Sequence, residues 1–253
     1  LIREAKAGTG IADLHGPAHA TATGGATKDV AELVLASGSE RRRALLVRLG
    51  LRFVVVRPEI EETLLPGMCA DLAVQLIARS KAHAALKLVP DRDAYLLAAD
   101  TIVMGPDGPL GKPGTVGRAR EMLLSLRGQR HVVLTGICAL AAGSLKEATG
   151  VSRSAVRMRD FGDSELDQYV AGGEPLDRAG SYAVQGLGGS LVDAIAGRTD
   201  TVIGLDCQLA MQLLIEVGYP SPLPTAPDQH VALGKAAATR RPLASSNRAG
   251  GSR

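Results

Sequence analysis

The chain has 253 residues, with 29 Lys+Arg against 26 Asp+Glu, 45% hydrophobic and 22% charged residues. That balance is globular rather than disordered, and no apolar run reaches the ~18 residues of a membrane span. Six aromatics and no Trp argue against a protein that grips single strands by stacking bases.

The net charge of +3 sits at the ends. Residues 1–28 and 220–253 together carry eight basic and three acidic groups, which leaves 21 basic against 23 acidic over 29–219. The middle is near neutral, which argues against nucleic acid as the partner. Residues 1–28 lack an apolar period and a signal-peptide core, and read as a poorly ordered extension. Residues 220–253 are rich in Pro, Ala and Arg and read as a disordered tail. The folded part is expected over 29–219. Cys69, Cys138 and Cys207 are odd in number and lack a CxxC pairing, so a reducing, cytoplasmic setting is expected.

Strands and helices alternate along that part. Glu32–Ala36 predicts a short buried strand, and Ser39 is placed to cap a helix from Glu40 to about Leu49, which Gly50 ends. Phe53–Val56 predicts a second strand and 70–87 a long helix. Ala94–Asp100 predicts a strand that runs on through Thr101–Met104 and turns at Gly105–Gly108. Val116–Leu126 predicts a helix stopped near Gly128. His131–Ala142 and Val151–Arg159 predict a hairpin, Ser164–Ala171 a helix capped by Ser164, and Gly204–Val217 the last helix. The expected class is mixed α/β.

Five stretches could carry chemistry. In Leu35–Arg43 a strand ends at Ser37-Gly38-Ser39 and a helix begins with Arg41, Arg42 and Arg43. Helix N–H groups attract anions and arginines add bidentate phosphate contacts. Asp100 sits near the end of an apolar strand, where an ionised carboxylate needs exposure or a partner. Glu59-Ile60-Glu61-Glu62 offers carboxylates for a hard cation beside Asp100. Lys81 lies on a helix and Lys112 in a Gly-Lys-Pro turn. Gly180–Gly189 surrounds Gln185 with glycines, as backbone close to a ligand would need. Each alone has a plain reading as a solvated helix start, a turn, an acidic loop or a surface lysine. No Walker A loop is present, and the late glycine run fails as GxGxxG. Together the groups are a toolkit for metal-assisted phosphoryl or nucleotidyl chemistry.

Taken in order, LASGSERR at 35–42, IEE at 60–62, ARSKA at 78–82, AADTIV at 98–103, GKP at 111–113, TG at 135–136, ELDQYV at 165–170, EPLDRAGSYAVQGLGG at 174–189 and VIGL at 202–205 resemble the Maf family of nucleoside triphosphate pyrophosphatases. The resemblance implies an elongated mixed sheet flanked by helices, with two lobes and a deep cleft. It implies hydrolysis of a nucleoside triphosphate to monophosphate and pyrophosphate with a divalent cation, Mg²⁺ or Mn²⁺. Asp100 then falls on the general-base position and doubles as a metal ligand with Glu62. Lys81 and Lys112 fall on phosphate-binding positions, and Ser37, Arg41 and Arg42 on the phosphate-facing loop. Arg41, Thr101 and Gln185 match the subgroup that acts on dTTP and UTP, with Thr101 and Gln185 expected at the base edge. The alternatives are the 7-methyl-GTP subgroup and, from the family's association with septum formation, a cell-division regulatory protein. A homodimer is compatible with the resemblance. Glu40 stands where the family usually has Pro, and Ser80 where an acidic residue is common.

Overall fold

The computed structural model describes residues 32–60 and 67–220. Strand β1 (Leu33–Ala36) leads through Ser37–Ser39 into helix α1 (Glu40–Arg48). The Ser39 hydroxyl accepts from the Arg42 N–H, as its position predicts. Strand β2 (Val54–Val56) and helix α2 (Ala70–Leu86) follow. Strand β3 (Tyr95–Gly105) turns into the short β4 (Gly108–Leu110), and helix α3 (Val116–Leu126) comes next. Strands β5 (Arg130–Ala141) and β6 (Glu147–Met158) form the long hairpin. Helix α4 (Asp163–Ala171), a run of 3₁₀ turns between Glu174 and Leu191, strand β7 (Val192–Ala196), and helices α5 (Thr199–Ile203) and α6 (Cys207–Glu216) complete the order.

The mixed α/β expectation holds, with four local corrections. Strand β6 begins at Glu147, four residues before the expected Val151, because its ladder with β5 runs back to Leu140↔Glu147. Ser164 does not cap α4; Gly162 takes the cap position, without a side-chain bond, and Ser164 lies inside the first turn. The expected Gly204–Val217 helix begins at Cys207 instead. Gly204 has φ +129°, which breaks the chain between α5 and α6, and Asp206 caps α6 by accepting from the Leu209 N–H. Strand β7 was not foreseen; its Val-Asp-Ala-Ile-Ala run is half exposed and owes its conformation to pairing with β6.

Among the described residues the sheet has seven strands in the order β2-β1-β3-β5-β6-β7, with β4 on β3. The β1–β2 and β1–β3 pairs are parallel and the others antiparallel. The two edges of β3 differ. Along one edge β5 pairs continuously from Tyr95 to Met104. Along the other, β1 pairs with Tyr95–Leu97 and β4 with Val103–Gly105. Among the described residues, 98–102 therefore have no strand beside them on that edge. Asp100 and Thr101 lie in this gap, next to where β1 gives way to its loop.

Strand alternation decides which side each residue serves. Leu33, Leu35, Leu97, Ala99 and Ile137 pack with Leu45 and Leu46 of α1 and Leu213 and Leu214 of α6. Val34, Leu96, Ala98, Cys138 and Leu140 pack with Ala78, Ala82 and Ala85 of α2. A third apolar cluster joins Val103 and Val133 to Leu123 and Leu126 of α3 and Leu166 of α4. The gap in the sheet thus separates a core around β1 from a core around α3 and α4.

Candidate active site

A cavity of about 730 Å³ opens at the gap, a volume typical of small-molecule sites. Its lining includes six basic side chains, Arg41, Arg42, Arg57, Lys81, Lys112 and Arg178, against three acidic ones, Glu40, Asp100 and Asp177. The near-neutral folded part thus concentrates positive charge in one concave place, which suits a polyanion.

The floor is built on the α2 side. Asp100 follows Leu96 and Ala98 in the alternation, so it faces α2. There the Lys81 Nζ donates to its Oδ1 at 2.6 Å, with both residues buried. The contact depends on Gly136, the cross-strand partner of Asp100. A Cβ on Gly136 would come within 2.4 Å of the Val74 carbonyl carbon and oxygen. Only a residue without a side chain lets α2 sit this low on the sheet. Val74, Ala78 and Lys81 share one helix face, so the seat at Val74 sets the height of Lys81. The Asp100 Oδ2 accepts no hydrogen bond from the described residues and is left for water or a cation.

Thr101 points the opposite way, toward α1. Arg42 donates from Nη2 to Thr101 Oγ1 (3.1 Å), from Nη1 to Ser37 Oγ (3.1 Å) and from Nε to the Gly204 carbonyl (2.8 Å). Thr135 donates to the Thr201 carbonyl at 2.8 Å, so the 2.9 Å contact between the two threonines has Thr101 as donor. The Thr101 hydrogen is therefore spent inside the protein, and its oxygen anchors Arg42. Ser37 Oγ accepts from both Arg42 and the Ser39 N–H (3.2 Å). With two acceptor positions filled, its own hydrogen is free to donate to an anion. Gly204, which interrupts the last helices, supplies one of the acceptors that fix this arginine.

The rim comes from the loops. Lys112 Nζ pairs with Asp177 Oδ1 at 2.5 Å, both exposed, and the lysine holds the Asp177 carboxyl below its ordinary pKa. The Gly180 N–H donates to the Gly111 carbonyl (3.2 Å), tying the Lys112 turn to the 174–189 segment. Gln185 is exposed in the lining. Gly186 after it has φ +86°, and Glu174 accepts from the Leu187 N–H beyond it (3.1 Å). The glycine run thus shapes a turn that presents Gln185. Arg41 donates from Nε to the Ile203 carbonyl (3.3 Å). Burial, then the nearby charges of Arg178 and Arg42, lower its pKa from the ordinary arginine value. Glu40 lies at the first helical position, largely exposed and paired with Arg43 at 3.4 Å, where its charge favours the helix dipole.

Behind the rim, His131 Nε2 lies 2.6 Å from the Tyr182 hydroxyl, and the His131 Nδ1 is buried without a partner among the described residues. Protonation would add a buried N–H with no acceptor, and burial brings the His131 pKa down to about 4. Tyr182 lines the cavity and is itself buried.

Of the side chains picked from the sequence, Ser37, Arg41, Arg42, Lys81, Asp100, Thr101, Lys112 and Gln185 all line this one cavity. Glu62, with Glu61, lies outside the described residues. Among the described residues no three His, Cys, Asp or Glu side chains converge. A magnesium-type ion needs only one or two carboxylates beside phosphate oxygens and water, so the free oxygen of Asp100 fits such an ion. Arg178, Asp177 and Gly136 were not singled out. The first two stand inside the EPLDRAG stretch, which was the available signal; Gly136 had only the short TG pair.

Residues 32–217 match the Maf-like protein family. The chain belongs to the Maf family. It is 43% identical over 190 residues to the dTTP/UTP pyrophosphatase of Myxococcus xanthus, spanning 75% of this chain and 94% of that protein. It is 41% identical over 187 residues to the dTTP/UTP pyrophosphatase of Halalkalibacterium halodurans, 74% and 96% of the two chains. The protein of the same name from Dictyoglomus thermophilum is 36% identical over 190 residues, 74% and 97% of the two chains. Among the described residues no helix is long and apolar enough to cross a membrane.

Proposed function

We propose that this Maf protein hydrolyses dTTP and UTP to the monophosphate and pyrophosphate. The observation that carries the reading is the buried Asp100 carboxylate, gripped on one oxygen by Lys81 and open on the other, on the floor of a strongly basic cavity. In this reading Asp100 orients or deprotonates a water molecule as that water attacks the α-phosphorus. The bond from the α-phosphorus to its bridging oxygen breaks, and pyrophosphate leaves with the electron pair. Lys81, Lys112 and the arginines offset the charge that gathers on the leaving group. Asp100 and Glu62 would hold the divalent cation, Mg²⁺ or Mn²⁺, which when bound polarises phosphate oxygens.

The match of Arg41, Thr101 and Gln185 to the dTTP/UTP subgroup supports a pyrimidine nucleotide over 7-methyl-GTP. Gln185 at the rim offers the donor and the acceptor that a uracil or thymine edge needs; Thr101 acts through Arg42. A purely regulatory interaction protein would not require a buried Asp–Lys pair inside a basic cavity. The reaction, and cysteines without a disulfide among the described residues, suit the cytoplasm. Incubation with dTTP or UTP and Mg²⁺ in ¹⁸O water tests the reading. The label should enter the monophosphate, with pyrophosphate as the co-product. Orthophosphate and a nucleoside diphosphate as first products would sink it.

A further inference from the structure

Four arginines line the cavity, and three of them, Arg41, Arg42 and Arg178, are bound to the protein to very different degrees. A guanidinium has five N–H donors. Arg42 spends at least three of them on Gly204, Ser37 and Thr101. Arg41 spends one, on the Ile203 carbonyl. Arg178 spends none on the described residues. Its carboxylate contact is Asp177 at 3.8 Å, on a side chain that is itself three-quarters exposed, and its Nε is buried with no acceptor. An arginine held so loosely loses little by turning toward an anion.

Its backbone, in contrast, is fixed. Arg178 stands between the 3₁₀ turns Glu174–Asp177 and Ala179–Ser181. Two residues on, Gly180 has φ +67° and bonds to the Gly111 carbonyl. A Cβ at Gly180 would meet Val103 Cγ1 of β3 at 2.9 Å, so the turn is pressed onto the strand that carries Asp100. Arg178 is also close enough to Arg41 to disfavour its positive charge, more strongly than the adjacent Arg42 does. Two like charges on one cavity wall repel; the Asp177 and Glu174 carboxylates nearby counter this, and a bound polyanion between the two arginines would counter it further.

We propose that Arg178 and Arg41 together form the guanidinium pair that grips the phosphate chain of the substrate, while Arg42 is a positioning residue that holds the Ser37–Ser39 loop against β3. This assignment rests on the nucleotide reading above for its substrate. Its ligand chemistry, a polyphosphate, can be tested without hydrolysis.

Calorimetric titration of the full chain with inorganic tripolyphosphate is the direct test, alongside dTTP kinetics and inhibition by thymidine. In Arg178→Gln, tripolyphosphate binding should weaken about 10- to 150-fold, the loss of charge-assisted hydrogen bonds. The KM for dTTP should rise by a similar factor, and thymidine inhibition should stay within about twofold. Arg178→Lys keeps the charge but loses the planar fork, and should weaken binding about tenfold. If Arg178→Gln does not fold, Arg178→Lys is read by the same criterion. Tripolyphosphate binding within twofold of wild type in a folded variant overturns the assignment. So does a variant that loses thymidine inhibition and keeps tripolyphosphate, which would place Arg178 at the base. A wild type that binds tripolyphosphate through Arg178 yet releases no pyrophosphate from dTTP would sink the hydrolase reading alone.

Discussion

The floor and the rim of the cavity each hold a lysine against an aspartate at nearly the same distance, 2.6 Å for Lys81–Asp100 and 2.5 Å for Lys112–Asp177. Their surroundings are opposite. The floor side chains are 11% and 9% exposed, and the rim side chains 66% and 74%. An exposed pair is screened by water and salt and contributes at most about 1 kcal/mol. Removing one partner of a buried pair typically costs several times that, because the other is left in a poor solvent. Equal geometry therefore serves two purposes. The floor pair is held in place, and the rim pair can open at little cost.

The largest expected effect breaks the floor. Asp100→Asn keeps the shape and removes the proton acceptor, so turnover should fall on the order of 10²- to 10⁴-fold with less change in substrate affinity, measured by pyrophosphate release. Near-full activity would move the base role to Glu62 or to metal-bound hydroxide. Next comes the buried histidine behind the rim. His131 is neutral in the fold, with its pKa lowered from 6.5 to about 4. Between those pH values the unfolded chain takes up a proton that the folded chain refuses, so stability falls as pH falls through that window. At about 1.4 kcal/mol per pKa unit the full loss is about 3 kcal/mol. Denaturant titrations at pH 7 and pH 4.5 should show a smaller acid loss in His131→Gln; an equal loss would remove His131 from the acid response.

A third change tests how the floor is held. Gly136→Ala pushes a methyl group into the backbone of α2 at Val74. It should destabilise the fold by about 1–3 kcal/mol, and lower kcat beyond what the melting temperature explains, because Lys81 is lifted from Asp100. Gly117→Ala, on an open helix face, is the control and should be neutral or slightly stabilising. Similar behaviour of the two would show that the close seat of α2 has no part in activity. The last effect belongs to the rim. Gln185→Glu removes an amide donor, and should cost about 5- to 150-fold in efficiency on dTTP and UTP while relative activity on 7-methyl-GTP rises. An unchanged dTTP to 7-methyl-GTP ratio would reduce Gln185 to a brace for its loop.

Local signals carried much of the fold. Ser39 before Glu40, Gly50 after α1, and the apolar run from Ala94 marked real boundaries because caps, left-handed turns and buried strands follow from a few neighbouring side chains. Ser164 and Gly204 misled for a related reason. A serine near a helix start need not be the cap, and a glycine read as a helix opener was the break between two helices. Strand β7 escaped because its conformation comes from β6 rather than from its own residues.

By itself the sequence determined the chemistry available: a carboxylate at Asp100, basic groups at 41, 42, 81 and 112, an amide at Gln185, and the class of fold that carries them. Alternation along β3 even required Asp100 and Thr101 to face opposite sides. Only the tertiary structure decided what each group meets. The gap between β1 and β4 exists because two strands far apart in sequence share one edge of β3. The floor pair exists because Gly136 lets a helix come down onto the sheet. Arg41 and Arg42 are adjacent in sequence, yet acceptors from Ser37, Thr101 and Gly204 engage the second, while the first is left facing Arg178. These are contacts between distant segments, and they depend on packing distances that no local pattern of residues encodes.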